Sequence, residues 1–390
     1  LNEPGPGKQE PARVLLVVGT RPEAIKMAPV LRALRERSDE VEVSLALTGQ
    51  HTELVDQVLR AFDMLPDYDL GIMREGQTLY DVAAGCLDGL RTVVGDFRPD
   101  MVLVQGDTAT VFFGALVAFF ETIGVGHVEA GLRSGRKWSP FPEEMFRRLT
   151  DVLSDHWFAP TPNARANLLA EGLPPERVHV TGNTVVDALR SIAELERPFQ
   201  NPVLERLSDP GRRLVLVTAH RRESFGAPMR EVFQAVRDVV DAHDDVDVVC
   251  PVHPNPNVVG PAREVLGTHP RVFLTEPLDY VDLVGVMRKA RLILTDSGGI
   301  QEEAPTFGTP VLVLRDVTER PEGVEAGVAE VVGTDRRRIV ERASAWLSSR
   351  ARAGGATSPY GDGRAGERIA DIVLADLRGG PRRTTDWAPS

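Results

Sequence analysis

Cysteine is nearly absent: 390 residues carry two, Cys86 and Cys250, far apart and each in an apolar context. Such a pair supplies neither a disulfide framework nor metal-ligand spacing, and it points to a reducing cytoplasm. Positive charge is in deficit too. The formal net charge is -12, so the chain as a whole repels nucleic acid and anionic membranes, and neither is expected as a partner. No apolar run approaches the length of a membrane span, and no signal peptide is evident. A P-loop, a zinc pattern and a nicotinamide fingerprint are all missing; Gly298-Gly299 lacks the glycine spacing of a dinucleotide site. No metal or other cofactor is expected.

What is present is ordinary for a globular protein: 42% hydrophobic and 26% charged residues, in a chain long enough for two domains. Short apolar runs recur, each ending in small or polar residues and followed by a helical pattern. In the first half they are 14–19, 43–49, 101–106, 125–130, 156–160 and 179–183; in the second, 214–220, 247–253, 272–276, 292–297, 310–315 and 329–333. Continuous rather than alternating runs mark strands buried on both faces, as in a parallel sheet covered by helices. Helical segments at 22–37, 51–63, 77–94, 142–154 and 226–243 supply crossovers.

The fold class is therefore α/β, with two doubly wound Rossmann-like domains. Residues 12–184 form the first and 185–358 the second, with a helix near 185–195 and a Pro-rich linker at the boundary. Residues 359–378 end in an amphipathic helix, from about 366, that returns to the first domain after the loose segment 351–367. Residues 1–11 and 379–390 read as flexible tails.

Ligands in open parallel sheets lie beyond the carboxyl ends of the strands, which directs the search for a site. The stretch RLILTDSGGIQEEA, 291–304, reads as a strand, a turn at Asp296–Gly299 and a helix opening at about Ile300. Ser297, Gly298 and Gly299 bring backbone N–H groups and a helix N-terminus to one point, which suits phosphate. Glu302 and Glu303 follow, where a carboxylate can accept hydrogen bonds from a sugar diol. Taken alone, the stretch is equally a capped turn with no ligand. After the first strand stand Arg21 and Lys26, aimed at an anion or simply solvated.

Asp107 follows 101–106, Glu129 and Arg133 follow 125–128, and Glu143 lies four positions before Arg147 on one helix face. Carboxylates that converge at neighbouring strand ends raise one another's pKa, which serves proton transfer near neutral pH. Each by itself is a cap or a surface charge; together they read as functional. In the second half, His220 ends a strand where it can bond phosphate or shuttle a proton. Arg320 follows another strand, and His253 reads either as part of the site or as a packed loop residue. The Phe112-Phe113 and Phe119-Phe120 pairs read as core.

Together these segments resemble the non-hydrolysing UDP-N-acetylglucosamine 2-epimerases. The matching stretches are GTRPEAIKMAPV, QGDTAT, HVEAGLRS, PFPEE, VTGNTVVDAL, HRRESFG, PVHPNP, DSGGIQEEAP, GTPVLVLRDVTERPE and SPYGDG, in order from residue 19 to residue 363. The resemblance implies a glycosyltransferase type B architecture with the substrate in an interdomain cleft, and a homodimer. By that similarity Ser297, Gly298 and Gly299 hold the diphosphate with Arg21, His220 and Arg320, and Glu303 grips the ribose. Lys26, Asp107, Glu129, Glu143 and Arg147 surround the hexose, with His253 in support. The catalytic set it implies is Asp107, Glu129, Glu143 and His220.

The chain departs from that pattern at Phe146, where Asn is typical, and at Asp282-Leu283, in place of Pro-Phe near the uracil. Gly76 and Glu53 stand where enzymes activated by a second UDP-sugar have an arginine and a neutral polar residue, which argues against such activation. The expected chemistry follows from the sugar: its carbon 2 hydrogen is not acidic beside an acetal, so UDP must leave first. Elimination to a glycal and re-addition on the opposite face is the scheme, with domain closure to trap the intermediate. A related 2-acetamido sugar, a hydrolysing epimerase, a type B glycosyltransferase and a non-catalytic UDP-sugar-binding protein are the competing expectations.

Overall fold

The computed structural model describes residues 10–49, 53–74, 76–195, 197–205, 207, 211–349 and 358–389. Every apolar run expected as a strand forms one, and all pair in parallel. In the first half they are β1 (Ala12–Val18), β2 (Val41–Leu47), β4 (Met101–Gln105), β5 (Gly124–Val128), β6 (His156–Ala159) and β7 (Val178–Val180). The two-residue β3 (Tyr68–Asp69) completes that sheet and has no apolar run to announce it. The second half holds β8 (Arg213–Thr218), β9 (Val246–Pro251), β10 (Val272–Thr275), β11 (Leu292–Thr295), β12 (Val311–Val313) and β13 (Ala329–Val331).

Among the described residues the orders are β3-β2-β1-β4-β5-β6-β7 and β10-β9-β8-β11-β12-β13. Each sheet reverses direction once, between β1 and β4 and between β8 and β11, and at such a switch the following loops splay apart to leave a crevice. Burial on both faces explains the composition: all five residues of β4 are buried, and Val102 and Val104 share one core with helices Leu79–Phe97 and Ala109–Phe120. The second core forms in the same way around β8, β9 and β11, with helix Ala227–Ala242 contributing Phe233 and Val236.

The chain divides into two compact units. One takes residues through Ala188 together with Gly361–Ala388, and the other takes Leu189–Tyr360. Helix Ala365–Arg378 packs on helix Arg21–Arg35 within the first unit. Their approach requires Gly366, whose Cβ would stand 2.6 Å from the Pro29 carbonyl oxygen. Among the described residues, no helix is long and apolar enough to cross a membrane.

Three expectations need correction. The segment after Gly379, expected as a flexible tail, is ordered against β7: Trp387 is buried and its amide donates to Val180 O at 2.7 Å. The Asp386 carboxylate accepts from Val180 N at 2.9 Å, and Asp371 accepts from the amides of Arg383 and Thr384. A polar composition concealed one aromatic anchor and two well-placed carboxylates. Second, Phe119 and Phe120 are not core; they are 56% and 62% exposed at the end of their helix. Third, the helix after β11 opens at Gly298 rather than Ile300 and spans six residues, Gly298–Glu303. Residues 1–9 of the expected leading tail and 351–357 of the loose segment lie outside the described residues, as does the Glu53 side chain.

Candidate active site

In the first unit, the loops after β1, β4 and β5 carry interlocked charges. Glu129 follows β5 at φ +66, a left-handed conformation that costs a non-glycine residue about 1 kcal/mol or more. The strained turn aims its carboxylate at Lys26: Nζ lies 2.5 Å from Oε2, and Gln105 Nε2 donates to the same oxygen at 2.6 Å. Asp107, two residues beyond β4, accepts from Arg147 NH2 at 2.5 Å. The Arg147 Nε is buried with no hydrogen-bond partner among the described residues.

Of the adjacent glutamates, Glu143 is half-buried and makes no ion pair among the described residues. The structural partner is Glu144, which sequence reasoning passed over. Its carboxylate is 3.3 Å from Arg147 NH1 and accepts from the amides of Ser134 and Gly135 at 3.0 and 3.2 Å. Helix Glu143–Leu153 thus turns Glu144, Arg147 and Asp151 to one side, at the spacing of a single helical face. Arg133 joins Asp151 and Glu171, at 2.7 Å each. Phe146 stacks on Phe112 at a centroid distance of 5.4 Å.

Arg21 is half-buried and has no ion pair among the described residues. Below it, Glu23 accepts from Gly19 N at 2.6 Å and Thr20 Oγ1 at 3.0 Å. Burial pushes this carboxyl up to about 7, with those hydrogen bonds opposing the shift. The pattern Thr20-x-x-Glu23 is the sequence signal that reveals it. Gly19 is obligatory here, since a Cβ would come 2.2 Å from Thr110 Oγ1.

In the second unit, buried Asp296 ties the turn after β11 to the loop after β8. Its Oδ2 accepts from the amides of His220 and Arg221 at 2.7 and 2.8 Å. The His220 Nδ1 lies 3.2 Å from Oδ1, and its ring stacks on His253 with centroids 5.7 Å apart. Burial lowers the His220 pKa, Asp296 opposing, which favours the neutral ring. His253 itself is exposed.

The amides of Gly298 and Gly299 open the short helix, so they have no intrahelical acceptor. With so few residues the helix contributes little dipole, and these local N–H groups are its anion-binding equipment. Arg320 lies over them: a Cβ at Gly298 would stand 3.2 Å from its guanidinium carbon. The guanidinium is oriented by buried Glu302, whose Oε1 accepts from Nε at 2.8 Å. The neighbouring Glu303 stays half-buried, with Oε1 beside Gly299. Tyr360 accepts from Gly323 N at 3.1 Å and so fixes the short helix Pro321–Glu325 after Arg320.

Asp282 proves structural: it accepts from the amides of Gln200 and Asn201 at 2.9 Å each and fastens that segment to its helix. Among the described residues no group of three or more His, Cys, Asp or Glu is placed to hold a metal ion.

Two doubly wound parallel units, with ionisable side chains and free amides gathered at strand ends, define an enzyme of the glycosyltransferase type B fold class. The solved glycotransferase of kitacinnamycin shares that fold at TM-score 0.64 and 15% identity, over 95% of this chain and 100% of that one. The family model described as UDP-N-acetylglucosamine 2-epimerase matches residues 32–374, and the chain belongs to that family. The UDP-N-acetylglucosamine 2-epimerase of Escherichia coli strain K12 is 47% identical over 93% of this chain and 98% of its own length. The crystal structure of UDP-GlcNAc 2-epimerase from Neisseria meningitidis bound to UDP-GlcNAc matches at TM-score 0.82 and 41% identity. That match covers 93% of this chain and 99% of the other.

Proposed function

We propose that this enzyme interconverts UDP-N-acetylglucosamine and UDP-N-acetylmannosamine by anti elimination of UDP and its re-addition. The observation that carries the reading is the pair of acids at adjacent strand ends, each held against a cation. These are Glu129 on Lys26 and Asp107 on Arg147. Carbon 2 can lose its proton only once the bond from carbon 1 to the UDP oxygen is breaking. The electron pair of that bond leaves with UDP, the carbon 2 proton passes to a carboxylate, and a 2-acetamidoglucal remains. Re-addition of UDP with protonation on the other face of carbon 2 gives the manno isomer.

In this scheme Asp107, Glu129 and Glu143 move protons and steady positive charge on the ring, with His220 assisting as a proton carrier. The amides of Gly298 and Gly299, together with Ser297, Arg21 and Arg320, take up the negative charge of departing UDP. Such donors are typically worth ~3 kcal/mol of barrier each. Glu303 holds the ribose, Lys26 and Arg147 the hexose, and His253 supports the second unit's loop. The exposed side chains of Phe119, Phe120 and Val152 support a homodimer, which sedimentation tests. The buried, unpaired Cys86 and Cys250 support a cytoplasmic setting.

The deciding experiment is incubation with UDP-N-acetylglucosamine in deuterated water, followed by proton NMR. The manno isomer with deuterium at carbon 2 is the expected product. Product retaining protium there, or free N-acetylmannosamine and UDP, overturns the scheme.

A further inference from the structure

Asp107 is a carboxylate on a loop, and loops position side chains poorly unless their peptides are fixed. Here the peptide before it is fixed from both sides. Gly106 sits at φ +88, and its N–H donates to Val128 O at 3.1 Å. Its carbonyl, which belongs to the Gly106–Asp107 peptide, faces His127 Nε2 at 2.8 Å. The same ring's Nδ1 is 2.6 Å from Asp151 Oδ1. His127 lies on β5 beside Val104 of β4, is wholly buried, and reaches no solvent.

The two partners constrain the ring. A carbonyl oxygen only accepts, and the Asp151 carboxylate accepts at both oxygens, its Oδ2 taking Arg133 NH2 at 2.7 Å. An imidazole with one proton satisfies one of two acceptors and leaves the other facing a lone pair. Both contacts are made only by a ring protonated at both nitrogens, which is a buried imidazolium paired with Asp151. The helix Glu143–Leu153 then holds the Asp107 turn at two points. Arg147 takes the Asp107 carboxylate, and Asp151 one helical turn later holds the preceding carbonyl through His127.

We propose that His127 is a positioning residue for Asp107, carrying a proton on each ring nitrogen and setting the Gly106–Asp107 peptide plane. The positioning role rests on the reading that Asp107 moves a proton at the sugar; the protonation of the ring does not. The groups that face the ring's charge are Asp151 from the helix and, through it, Arg133 from the loop after β5 and Glu171.

The test has two arms. In the first, long-range proton–nitrogen NMR of the full chain labelled with 15N-histidine reads the ring directly, without any turnover. Both His127 nitrogens are expected in the protonated range at pH 7; an unprotonated nitrogen overturns the proposal. Asp151→Asn provides the assignment and should move the Nδ1 signal alone. In the second arm, His127→Gln, which can reach one partner but not both, is expected to lower kcat roughly 10- to 100-fold with KM nearly unchanged. In an Asp107→Asn background the same change should then cost almost nothing, because the two act through one group.

An equal loss in both backgrounds means a general structural role and overturns the positioning claim. If His127→Gln does not fold, Asp151→Asn enters the same cycle and is read in the same way. Wild-type protein that leaves UDP-N-acetylglucosamine unchanged sinks the proposed function, while the ring spectrum still decides the protonation claim.

Discussion

The two sheets change direction at equivalent places, yet the two crevices are equipped in opposite ways. The first unit's strand ends carry side-chain charges of both signs, Lys26 on Glu129 and Arg147 on Asp107. The second unit's carry backbone amides at Gly298 and Gly299, one arginine oriented by Glu302, and a histidine whose loop hangs on Asp296. The difference teaches what each kind of chemistry asks of a fold. Proton transfer needs ionisable groups with controlled affinity, and only side chains supply them. Holding a diphosphate needs several donors at short range, and a glycine turn supplies these with little to reorganise when charge arrives.

Four variants test that contrast. Asp107→Asn should have the largest effect, a fall in kcat of roughly 10²- to 10⁴-fold, with UDP affinity measured by calorimetry changed only a few-fold. Comparable loss of UDP binding would erase the division of labour. Arg320→Ala should lower kcat/KM roughly 100-fold and weaken UDP binding in step. It also removes the guanidinium that neutralises the buried Glu302 carboxylate, so melting should shift down as well. Unchanged UDP affinity would remove Arg320 from the diphosphate.

Glu23 gives the next effect, on stability. Its folded pKa, about 7, lies above the unfolded value of 4.5. Between those values the native state binds more protons than the unfolded chain. Stability from this group therefore declines as pH rises from about 4.5 through about 7 and is level above. The total is about 3 kcal/mol. Asp187, pushed by burial up to about 6, acts in the same direction within this unit. Glu23→Gln should flatten the slope between pH 5 and pH 8 in chemical denaturation; an identical slope in the variant would contradict the assignment. His253→Ala should be the mildest, below about 5-fold in kcat, since the ring is exposed and its stacking on His220 is worth about 1 kcal/mol. A large loss would make His253 a participant rather than a support.

Much of this was legible in the linear chain. Apolar runs located every strand but β3, because burial on both faces leaves a continuous pattern that a two-residue edge strand cannot leave. Strand-end reading put Asp107 and Glu129 just beyond β4 and β5, and His220 and the Gly298-Gly299 turn just beyond β8 and β11, and the structure has them there because topology fixes where strands end whatever the side chains do. It missed the residues that hold those groups. Glu144 was hidden behind an identical neighbour, and only the helix phase separates the one bonded to Ser134 N from the half-buried one. Glu302 and Glu303 divide in the same manner, the first turning inward to Arg320. Asp296 was read as part of a phosphate turn and serves instead to fasten two loops. The final segment was misread because a single tryptophan, Trp387, outweighs its polar surroundings once β7 offers it a place to bury.

Order of elements, fold class and the chemical types available for a site were written in the sequence, because periodicity and turn residues act over a few neighbours. Which carboxylate faces a cation, which one anchors an amide, and which histidine meets two acceptors were decided only in three dimensions. These depend on helix phase and on contacts between segments distant in the chain, such as His127 with Asp151 and Gly106. A hydrogen bond is won or lost within a few tenths of an ångström, a scale on which residue order carries no information.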